Sequence, residues 1–508
     1  MVTLYTNYFI DVIRSFPSEK ILLSDSSRNI QAGELLTSSQ HLAVGLINNG
    51  VRQGDRVILA LKPGVEFLQV IYANMMIRTV VSIIDPEMGR DNYQAKLRQF
   101  QPQHAFVDSR LILLSEHPLA RYVILKLNKT LPFFPLLSNC QIFTSGTWMP
   151  IVQKHFRIIN LYMQSEPNFQ SGNDRDDFLV TYTSGTLAEP KGVVHSYFSL
   201  GNSIRYLANM LNQYGDQAIA THLPQFALIG ISAGVKVHLW SNNWNSEQKI
   251  RFINENTITT LFGPPSDYLG LIQFVTSTNS TLPICLKNIY LGSAPIYIGF
   301  LNHLIACCGQ TKVTCLYGMT ENLMVTYQGA REKIKEEIEG DLVGSPFPNV
   351  VLKIESDGEI SVESDQLFSR YWQMEKCNRP HLTGDLGILD DKARLILRGR
   401  KKDMIIRGNF NIYPGLYEPT INKIEGVVEA LMVGCYNHEK ADEEIVLVVE
   451  SSKQMNAATM MANLRDGEYS IDRAALPDRI EFMKLPRSGR QNKVNRQGLV
   501  KLLSTTKL

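Results

Sequence analysis

A short loop rich in glycine and hydroxyl residues carries the clearest chemical signal in this sequence. Residues 182–194 read YTSGTLAEPKGVV and lie between two apolar runs. Glycines let backbone amides turn toward a polyphosphate, hydroxyls donate hydrogen bonds to its oxygens, and Lys191 adds a point charge. The GxxxxGK[ST] spacing of a Walker loop is absent. The sequence therefore predicts a polyphosphate site, with a polar surface turn as the alternative.

Two later segments carry carboxylates that could complement such a ligand. Residues 317–321 read YGMTE, and they place the hydroxyl of Thr320 beside the carboxylate of Glu321. This pair can hold Mg²⁺ against phosphate oxygens. Residues 383–385 read TGD, and the single carboxylate of Asp385 suits the two hydroxyls of a ribose. Both segments therefore point to a nucleotide as the polyphosphate.

Helices that alternate with apolar strands must position these residues. Strands are predicted at residues 57–61, 80–84, 105–107 and 178–180, and helices around residues 35–46 and 65–72. Continuous apolar strands between helices are typical of a parallel sheet that is covered on both faces. The pattern changes at residues 350–362, where alternating strands flank Asp357-Gly358 as in an antiparallel sheet. The basic run RGRKKD at residues 398–403 is interpreted as the boundary before a small C-terminal domain, with a solvated surface turn as the alternative.

Length and composition exclude several classes of protein. A chain of 508 residues is long enough for at least two domains, and 44% hydrophobic with 20% charged residues is ordinary for a soluble globular protein. With 51 basic and 49 acidic residues the net charge is only +2, which gives no case for a nucleic-acid partner. The seven cysteines form no CxxC pair, so a reduced, cytoplasmic compartment is predicted.

No secretory signal peptide and no membrane span are predicted. Charged residues interrupt the apolar stretch at residues 111–137 before it reaches the length of a transmembrane helix. We interpret that stretch as ordinary core. Peripheral contact with a membrane, or contact with a long-chain substrate, is the alternative.

Taken together, the motifs resemble those of the adenylate-forming superfamily, which includes acyl- and aryl-CoA synthetases, luciferases and the adenylation domains of peptide synthetases. The loop at residues 182–194 resembles its [ST]SGTTGxPKG segment, and residues 292–295 (GSAP) resemble GGAPL. YGMTE matches YGxTE, and residues 383–385 match TGD. Residues 407–418 and 485–496 resemble GGxNIYPxEIE and LPRTxxGKxxR. The resemblance covers nearly the whole chain, and its motifs occur in the order that the family requires.

The resemblance implies a fold and a set of site residues. The implied fold class is α/β, with a large N-terminal domain of parallel sheets layered with helices plus an antiparallel β subdomain, and a small mobile α+β C-terminal domain. The domains are predicted at residues 1–401 and 402–508, with Lys402 as the hinge. Lys493, Thr186 and Glu321 are implied as catalytic, with Glu321 as the Mg²⁺ ligand. The nucleotide-binding residues implied are Thr183, Ser184, Gly185, Thr186, Lys191, Gly192, Gly292, Ser293, Ala294, Tyr317, Gly318, Thr320, Asp385 and Arg400.

The implied reaction is the ATP-dependent activation of a carboxylic acid to an acyl-adenylate, followed by transfer to the thiol of CoA or of the phosphopantetheine on an acyl-carrier protein. Residues 223–227 (LPQFA) lie where many relatives read LPLFH. Phe226, Ala227 and Ile229 are predicted to line the acyl pocket. Because no acidic residue stands out as a partner for an ammonium group, an apolar fatty or aryl acid is predicted rather than an amino acid.

Four departures from the family pattern leave two alternatives open. Leu187 and Ala188 replace a threonine and a glycine of the phosphate loop, and Asn409 and Asn492 replace glycines of the two C-terminal motifs. Residues 85–89 (DPEMG) and the LPQFALIG segment also resemble β-lactone synthetases of olefin biosynthesis, in which the hydroxyl of a β-hydroxy acid displaces AMP. A degenerate relative that binds nucleotide or acyl chains without turnover is the second alternative.

Overall fold

The computed structural model describes residues 8–25, 28–84, 90–116, 122, 139–146, 156–164, 169, 172–182, 191–213, 218–241, 243–336, 338–375, 379–407, 410–437, 442–488 and 493–505. Several predictions lie outside these ranges. They concern Thr183, Ser184, Gly185, Thr186, Leu187 and Ala188 of the phosphate loop, the DPEMG segment, most of residues 111–137, and the substitutions at Asn409 and Asn492.

The larger sheet has thirteen strands in the order β17-β18-β20-β21-β16-β15-β14-β13-β12-β10-β11-β1-β2. These strands are β1 (Ile21–Ser24), β2 (Asn29–Gln31), β10 (Ala218–Thr221), β11 (Lys236–Leu239), β12 (Thr260–Gly263), β13 (Asn288–Leu291), β14 (Lys312–Met319), β15 (Asn322–Gly329), β16 (Asp341–Pro346), β17 (Val350–Ile354), β18 (Glu359–Ser364), β20 (His381–Leu389) and β21 (Leu395–Arg400). In the order of the sheet, β1, β11, β10, β12, β13 and β14 pair with one another in parallel, and β2 pairs antiparallel with β1. From β14 through β15, β16, β21, β20 and β18 to β17, every pair is antiparallel. The predicted antiparallel strands therefore extend the parallel sheet.

The second sheet has eight strands in the order β19-β9-β8-β4-β3-β5-β6-β7. These strands are β3 (Arg56–Ala60), β4 (Val80–Ile83), β5 (His104–Asp108), β6 (Gln141–Ser145), β7 (Phe156–Arg157), β8 (Asp177–Tyr182), β9 (Gly192–Ser196) and β19 (Arg370–Tyr371). Within this order, the six strands β8, β4, β3, β5, β6 and β7 pair with their neighbours in parallel, as continuous apolar runs between helices predict. Strands β8 and β9 enclose the phosphate loop and pair antiparallel, so the two ends of the loop, Tyr182 and Gly192, face each other.

Helices cover both sheets. They are α1 (Tyr8–Arg14), α2 (Ala32–Asn48), α3 (Val65–Ile77), α4 (Arg90–Phe100), α5 (Ser109–Glu116), α6 (Tyr197–Gln213), α7 (Pro224–Ser232), α8 (Ser246–Glu255), α9 (Ser266–Ser277), α10 (Ile298–Cys308) and α11 (Ala330–Lys335). The apolar face predicted for α2 is confirmed, since Leu35, Leu42, Ala43 and Leu46 are fully buried. Cys307 and Cys308 are buried in α10, as an apolar segment requires.

Residues after Arg400 form a smaller unit with its own hydrophobic clusters. Its elements are β22 (Ile405–Arg407), β23 (Phe410–Ile412), α12 (Pro414–Ile421), β24 (Val427–Asn437), β25 (Asp442–Ser451), α13 (Ala457–Asp466), β26 (Arg479–Phe482), β27 (Arg487–Ser488), β28 (Lys493–Val494) and α14 (Arg496–Thr505). Strands β24, β25 and β26 form the central sheet of this unit. The predicted α/β class, with a large N-terminal and a small α+β C-terminal domain, is confirmed, whereas the boundary between residues 401 and 402 stays a prediction.

The two domains come into close contact at a pair of glycines. A Cβ atom on Gly415, in the first turn of α12, would lie 2.4 Å from the Cα of Gly399 in β21. Gly399 has a φ of +132°, a region that side chains rarely adopt. Only glycine therefore fits at this contact. Within the described residues, none of the helices combines the length and apolar composition that crossing a bilayer requires.

Candidate active site

A cleft of about 3240 Å³ collects most of the residues that the sequence predicts for the site. Its walls come from the loop after β13, the β14–β15 hairpin, strands β20 and β21, and the C-terminal domain. The predicted residues that line it are Lys191, Phe226, Ile229, Gly292, Ser293, Ala294, Tyr317, Gly318, Thr320, Glu321, Asp385, Arg400 and Lys402. The end of the phosphate loop, the two carboxylates and the hinge region thus face one space.

Asp385 lies in an ion pair at the floor of this cleft. It is directly opposite Arg400 in the pairing of β20 with β21, and its Oδ1 lies 2.8 Å from Arg400 Nε. The hydroxyl of Tyr317 donates a hydrogen bond of 2.7 Å to Asp385 Oδ2. Burial raises the pKa of the Asp385 carboxyl, and the nearby Arg400 opposes this shift. In turn, the charge of Asp385 raises the pKa of Arg400.

One oxygen of this carboxylate fits a ribose. Asp385 is only 4% exposed, and among the described residues its Oδ1 accepts no hydrogen bond of acceptable geometry, although Arg400 Nε is close. A buried carboxylate oxygen without a hydrogen bond is costly, and the hydroxyls of a ribose could donate to it. The residues at this point therefore fit a nucleoside.

Glu321 lies at the turn of the β14–β15 hairpin, as predicted. Tyr371 in β19 donates a hydrogen bond of 3.0 Å from its hydroxyl to Glu321 Oε1. Tyr371 also pairs with Val193 in β9, the strand that follows the phosphate loop. The ammonium group of Lys191 lies 5.4 Å from the centre of the Tyr371 ring. Tyr371 therefore links the phosphate loop to the carboxylate, although the sequence did not single it out.

A hydrogen bond and a glycine fix the conformation of the β14–β15 turn. His195 in β9 donates from Nε2 to the carbonyl of Thr320 over 2.7 Å, and burial lowers the pKa of its imidazole. A Cβ atom on Gly318 would lie only 2.0 Å from the carbonyl oxygen of Leu323, so the turn requires glycine there. Both contacts fix the position from which Glu321 reaches the cleft.

The Glu321 region fits a magnesium ion that is bound largely by substrate. In the part of the chain that the structure describes, no three His, Cys, Asp or Glu side chains gather as a metal site. Mg²⁺ in nucleotide enzymes is commonly held by one or two carboxylates together with phosphate oxygens and waters. A single carboxylate with one oxygen oriented by Tyr371 meets that requirement.

The segment at Gly292–Ala294 follows β13 and lies beside the Tyr317 strand. Leu291 pairs with Cys315 in the β13–β14 ladder, which brings this segment next to Tyr317. Ser293 has a φ of +69°, and Gly292 donates its amide to the carbonyl of Gly263 over 3.3 Å. This geometry leaves the segment and Tyr317 on adjacent walls, as binding of a flat base requires.

The C-terminal domain contributes the far wall of the cleft. Lys402 is exposed in a short 3₁₀ helix, Lys401–Asp403. For Lys493 the structure describes the backbone, which lies in β28 and pairs with Ser488. The next residues, Val494, Asn495 and Arg496, line the cleft. The predicted catalytic lysine thus belongs to a segment that borders the same space as Asp385.

Arg496 anchors this segment to the rest of the C-terminal domain. Its guanidinium contacts both carboxylate oxygens of Glu418 in α12, at 2.8 and 2.9 Å. It also lies 3.5 Å from Asp403, next to the predicted hinge residue. Both hydrogen bonds come from Nη2, and such charge-assisted bonds hold the guanidinium against α12. The position of β28 is therefore coupled to α12 and to the hinge segment.

A family model described as "AMP-binding enzyme" matches residues 9–372 of this sequence. The chain belongs to this family. The predicted adenylate-forming superfamily is thereby confirmed, and with it the type of enzyme, an acid–thiol ligase. Nothing among the comparisons supports a particular proximity to the β-lactone synthetases.

Curated relatives of this AMP-binding enzyme are acyl- and aryl-CoA ligases. This chain is 25% identical to the 2-succinylbenzoate–CoA ligase of Oceanobacillus iheyensis, and the alignment covers 96% of this chain and 97% of that protein. It is 22% identical to the mitochondrial medium-chain acyl-CoA ligase ACSF2 of Danio rerio, over 83% of this chain and 75% of that protein. Among solved structures, ATP-bound MatB from Rhodopseudomonas palustris superposes with a TM-score of 0.81 at 21% identity, covering 99% of this chain and all of MatB.

The residues predicted to contact an acyl group are only partly placed at the cleft. Phe226 and Ile229 line the cleft, and the ring of Phe226 lies 3.8 Å from that of Phe262, centre to centre. Ala227, in contrast, is fully buried in the core and does not line the cleft, because it lies on the face of α7 that packs inward. Phe262 lines the cleft next to Phe226 and adds an aromatic ring that the sequence did not single out.

The same cleft carries an acidic residue that sequence reasoning missed. Asp267 lies in the first turn of α9 and lines the cleft, with its Oδ2 3.5 Å from His222 Nδ1. Burial raises the pKa of Asp267 to about 6, and the charge of Lys249 opposes this shift. The sequence offered no signal for it, because an aspartate in a helical first turn is ordinary.

Replacing Asp267 by Asn is expected to stabilise the protein at neutral pH. Because the carboxyl pKa is 3.8 when unfolded and about 6 when folded, its ionisation costs the folded state up to about 3 kcal/mol. Below pH 4 both states are protonated and the cost vanishes. It grows from pH 4 to pH 6 and is complete above pH 6. Melting temperatures of both proteins between pH 4 and pH 8 measure this difference.

The surface variant Asp11→Asn in α1 is the control for this measurement. The Asp11 side chain is 59% exposed, so its replacement should leave the pH dependence of melting unchanged. A gain for Asp267→Asn that is the same at pH 4 and pH 7 would contradict a cost of ionisation.

Proposed function

We propose that this enzyme uses ATP to activate a carboxylic acid as its acyl-adenylate and then transfers the acyl group to a thiol, that of CoA or of a carrier-bound phosphopantetheine. The observation that carries the proposal is the buried Asp385 carboxylate, which contacts Arg400 through Oδ1 and accepts a hydrogen bond from Tyr317 through Oδ2. It faces the same cleft as Lys191 and Glu321. A ribose site, a phosphate-loop cation and a carboxylate for Mg²⁺ in one cleft are the set that adenylation requires.

The first half-reaction needs positioning and charge stabilisation. An oxygen of the substrate carboxylate attacks the α-phosphorus of ATP, the bond from this phosphorus to the bridging oxygen breaks, and pyrophosphate leaves. Asp385 would hold the ribose, and Tyr317 with the segment at Gly292–Ala294 would hold the adenine. Mg²⁺ on Glu321 would neutralise phosphate charge.

Cations of the protein would carry the remaining charge. Lys191 would contact the terminal phosphates together with the loop residues Thr183, Ser184, Gly185 and Thr186. Lys493 would stabilise charge that develops on the reacting oxygens. In a partly enclosed cleft, each cation would act more strongly than in bulk water.

The second half-reaction needs the acceptor to reach the adenylate. The thiol sulfur attacks the acyl carbonyl carbon, its proton is lost, and the bond to the AMP oxygen breaks. Rotation of residues 402–508 about Lys402 would withdraw Lys493 and open a path for the thiol. Exposure of the 3₁₀ helix Lys401–Asp403 supports this role, since a hinge needs only one or two residues with free backbone angles.

The relatives support a small carboxylic acid as substrate and CoA as acceptor. Their printed names include ligases for medium-chain acids, 2-succinylbenzoate and 4-chlorobenzoate. Phe226, Ile229 and Phe262 give this chain an apolar acyl wall, which supports a fatty or aryl skeleton.

ATP–pyrophosphate exchange with fatty, aryl and β-hydroxy acids tests the proposal. Exchange that needs an acid and stops when EDTA removes Mg²⁺ is expected. AMP release that then requires CoA or a phosphopantetheine supports the thiol ligase, whereas AMP release with a β-hydroxy acid and no thiol would indicate lactone closure. Absence of exchange with every acid would overturn adenylation in favour of a binding protein.

A further inference from the structure

The acyl wall contains a pair of opposite charges that adenylation does not use. Asp267, Lys249, His222 and Trp240 all line the cleft beside Phe226. They come from the segments that follow β10, β11 and β12, at the carboxyl ends of neighbouring parallel strands. This edge of an open sheet is where α/β proteins bind their ligands. We call these four side chains the dipolar subsite.

The negative end of the dipolar subsite is held in place tightly. Asp267 Oδ2 approaches the backbone of Gly263 so closely that a Cβ atom there would lie 2.5 Å from it. His222 Nδ1 lies 3.5 Å from the same oxygen. The Asp267 side chain is 19% exposed, so it is largely removed from water and still reachable from the cleft. Its position is therefore fixed before a ligand arrives.

The positive end is Lys249 in α8. Its ammonium group lies 5.6 Å from the centre of the Trp240 ring, and burial lowers its pKa while the charge of Asp267 raises it. Within the described residues, the Trp240 indole nitrogen is buried and has no hydrogen-bond acceptor. The ammonium group of Lys249 and the carboxylate of Asp267 are thus the two charged groups of the dipolar subsite, and both residues line the cleft.

A charged group on a ligand, whether positive or negative, would be repelled by either Lys249 or Asp267. A second carboxylate would be attracted by Lys249 and repelled by Asp267, and an ammonium group would meet the reverse. A hydroxyl group both accepts and donates, so it can accept from Lys249 and donate to Asp267 without a net charge. A purely apolar chain would bury the pair without compensation, which is costly.

We propose that the dipolar subsite recognises a hydroxyl group on the acyl chain, so that the preferred substrates are hydroxylated carboxylic acids. This inference rests on the proposed function, since it concerns the acid that the enzyme activates. It replaces the sequence-based expectation of an entirely apolar acid. The apolar wall at Phe226 and Phe262 still selects the skeleton, and the Asp267–Lys249 pair selects its polar group.

The experiment uses acids of one chain length whose hydroxyl is moved along the chain, together with the unsubstituted acid, the dicarboxylic acid and the amino acid with a terminal ammonium group. ATP–pyrophosphate exchange is measured with each. At one hydroxyl position, kcat/KM is expected to exceed that of the unsubstituted acid by about 10- to 100-fold. No preference at any position, or preference for a charged acid, would overturn the inference.

Variants connect the preference to the subsite. Asp267→Asn and Lys249→Met should each lower, by about 10-fold or more, the ratio of kcat/KM for the hydroxylated acid to kcat/KM for the unsubstituted acid. Glu247→Gln is the matched control, because Glu247 lies on α8 near Lys249 but pairs with Arg251 at the surface. A preference that survives both subsite variants would contradict the assignment.

Binding separates this inference from the proposed function. Because Trp240 and Trp244 line the cleft, acid binding is expected to change tryptophan fluorescence, and a dissociation constant can be obtained without turnover. Tighter binding of the hydroxylated acid with no exchange by any acid would support the subsite and overturn adenylation. Exchange with unsubstituted acids, together with equal dissociation constants for hydroxylated and unsubstituted acids, would support adenylation and overturn the dipolar subsite.

Discussion

Replacing Lys493 by Ala is expected to reduce ATP–pyrophosphate exchange by at least about 10³-fold. The α-phosphate gains charge on its reacting oxygens as the acid attacks, and loss of one preorganised charge of this kind typically costs about 10²- to 10³-fold or more in a site that excludes water. The strand that carries Lys493 leads directly into cleft residues Val494–Arg496, so its backbone is in the required region.

The second half-reaction shows whether this loss is specific. With acyl-AMP supplied, thioester formation by Lys493→Ala should stay near the normal rate, because the charge is needed only at the α-phosphate. Lys453→Ala is the control, since Lys453 is an exposed lysine of the same domain that pairs with Glu425. Equal losses in both half-reactions would indicate a damaged domain.

Much of the candidate site could be predicted because its chemistry is local in sequence. The YGMTE hairpin places Glu321 and Tyr317 by its own turn, and the TGD segment carries Asp385 within one strand. Glycine requirements are equally local, as at Gly318, where a side chain would strike the next strand. Such features depend on a few neighbouring residues, so they can be recognised in the sequence without knowledge of the rest of the fold.

Other parts depend on strand pairing, which the sequence does not reveal. Tyr371 reaches Glu321 only because β19 pairs with β9, whose nearest residues lie more than 170 positions earlier in the chain. Asp267 and Lys249 belong to different helices, and both line the cleft beyond the carboxyl ends of β12 and β11. Register and strand order also decide that the antiparallel strands extend the parallel sheet. Periodicity identifies strands, but it carries no information on which strands become neighbours.

Ala227 shows how a local pattern can mislead. The prediction placed it in the acyl pocket because relatives carry an aromatic or histidine residue there. In the structure Ala227 is fully buried in the hydrophobic core and does not line the cleft. The aromatic surface is provided by Phe262 from β12, next to Phe226. The chemical character of the wall was predicted, and the residue that supplies it was not.

Replacing Asp385 by Ala is expected to reduce kcat/KM for ATP by about 10²- to 10⁴-fold, mainly through a higher KM. The variant would lose the hydrogen bonds from both ribose hydroxyls to a buried carboxylate, each worth about 1.5–3 kcal/mol. Tyr317 and Arg400 would also lose the partner that orients them on the base and ribose. Exchange rates measured over a range of ATP concentrations give both constants.

The other end of the same hairpin provides a matched control. Asp390→Ala breaks a second aspartate–arginine pair, with Arg394 at 2.7 Å, in the β20–β21 turn and away from the cleft. Arg394 keeps a second carboxylate partner, Glu336, at 2.7 Å, so Asp390→Ala should leave the KM for ATP unchanged, whereas Asp385→Ala should raise it. The KM for ATP of Asp385→Asn should lie between those of the wild type and Asp385→Ala. The amide oxygen of the asparagine can still accept a hydrogen bond from one ribose hydroxyl, but without the assistance of a charge. A normal KM for ATP in Asp385→Ala would exclude Asp385 as the ribose ligand, and the nucleotide site would then have to lie elsewhere in the cleft.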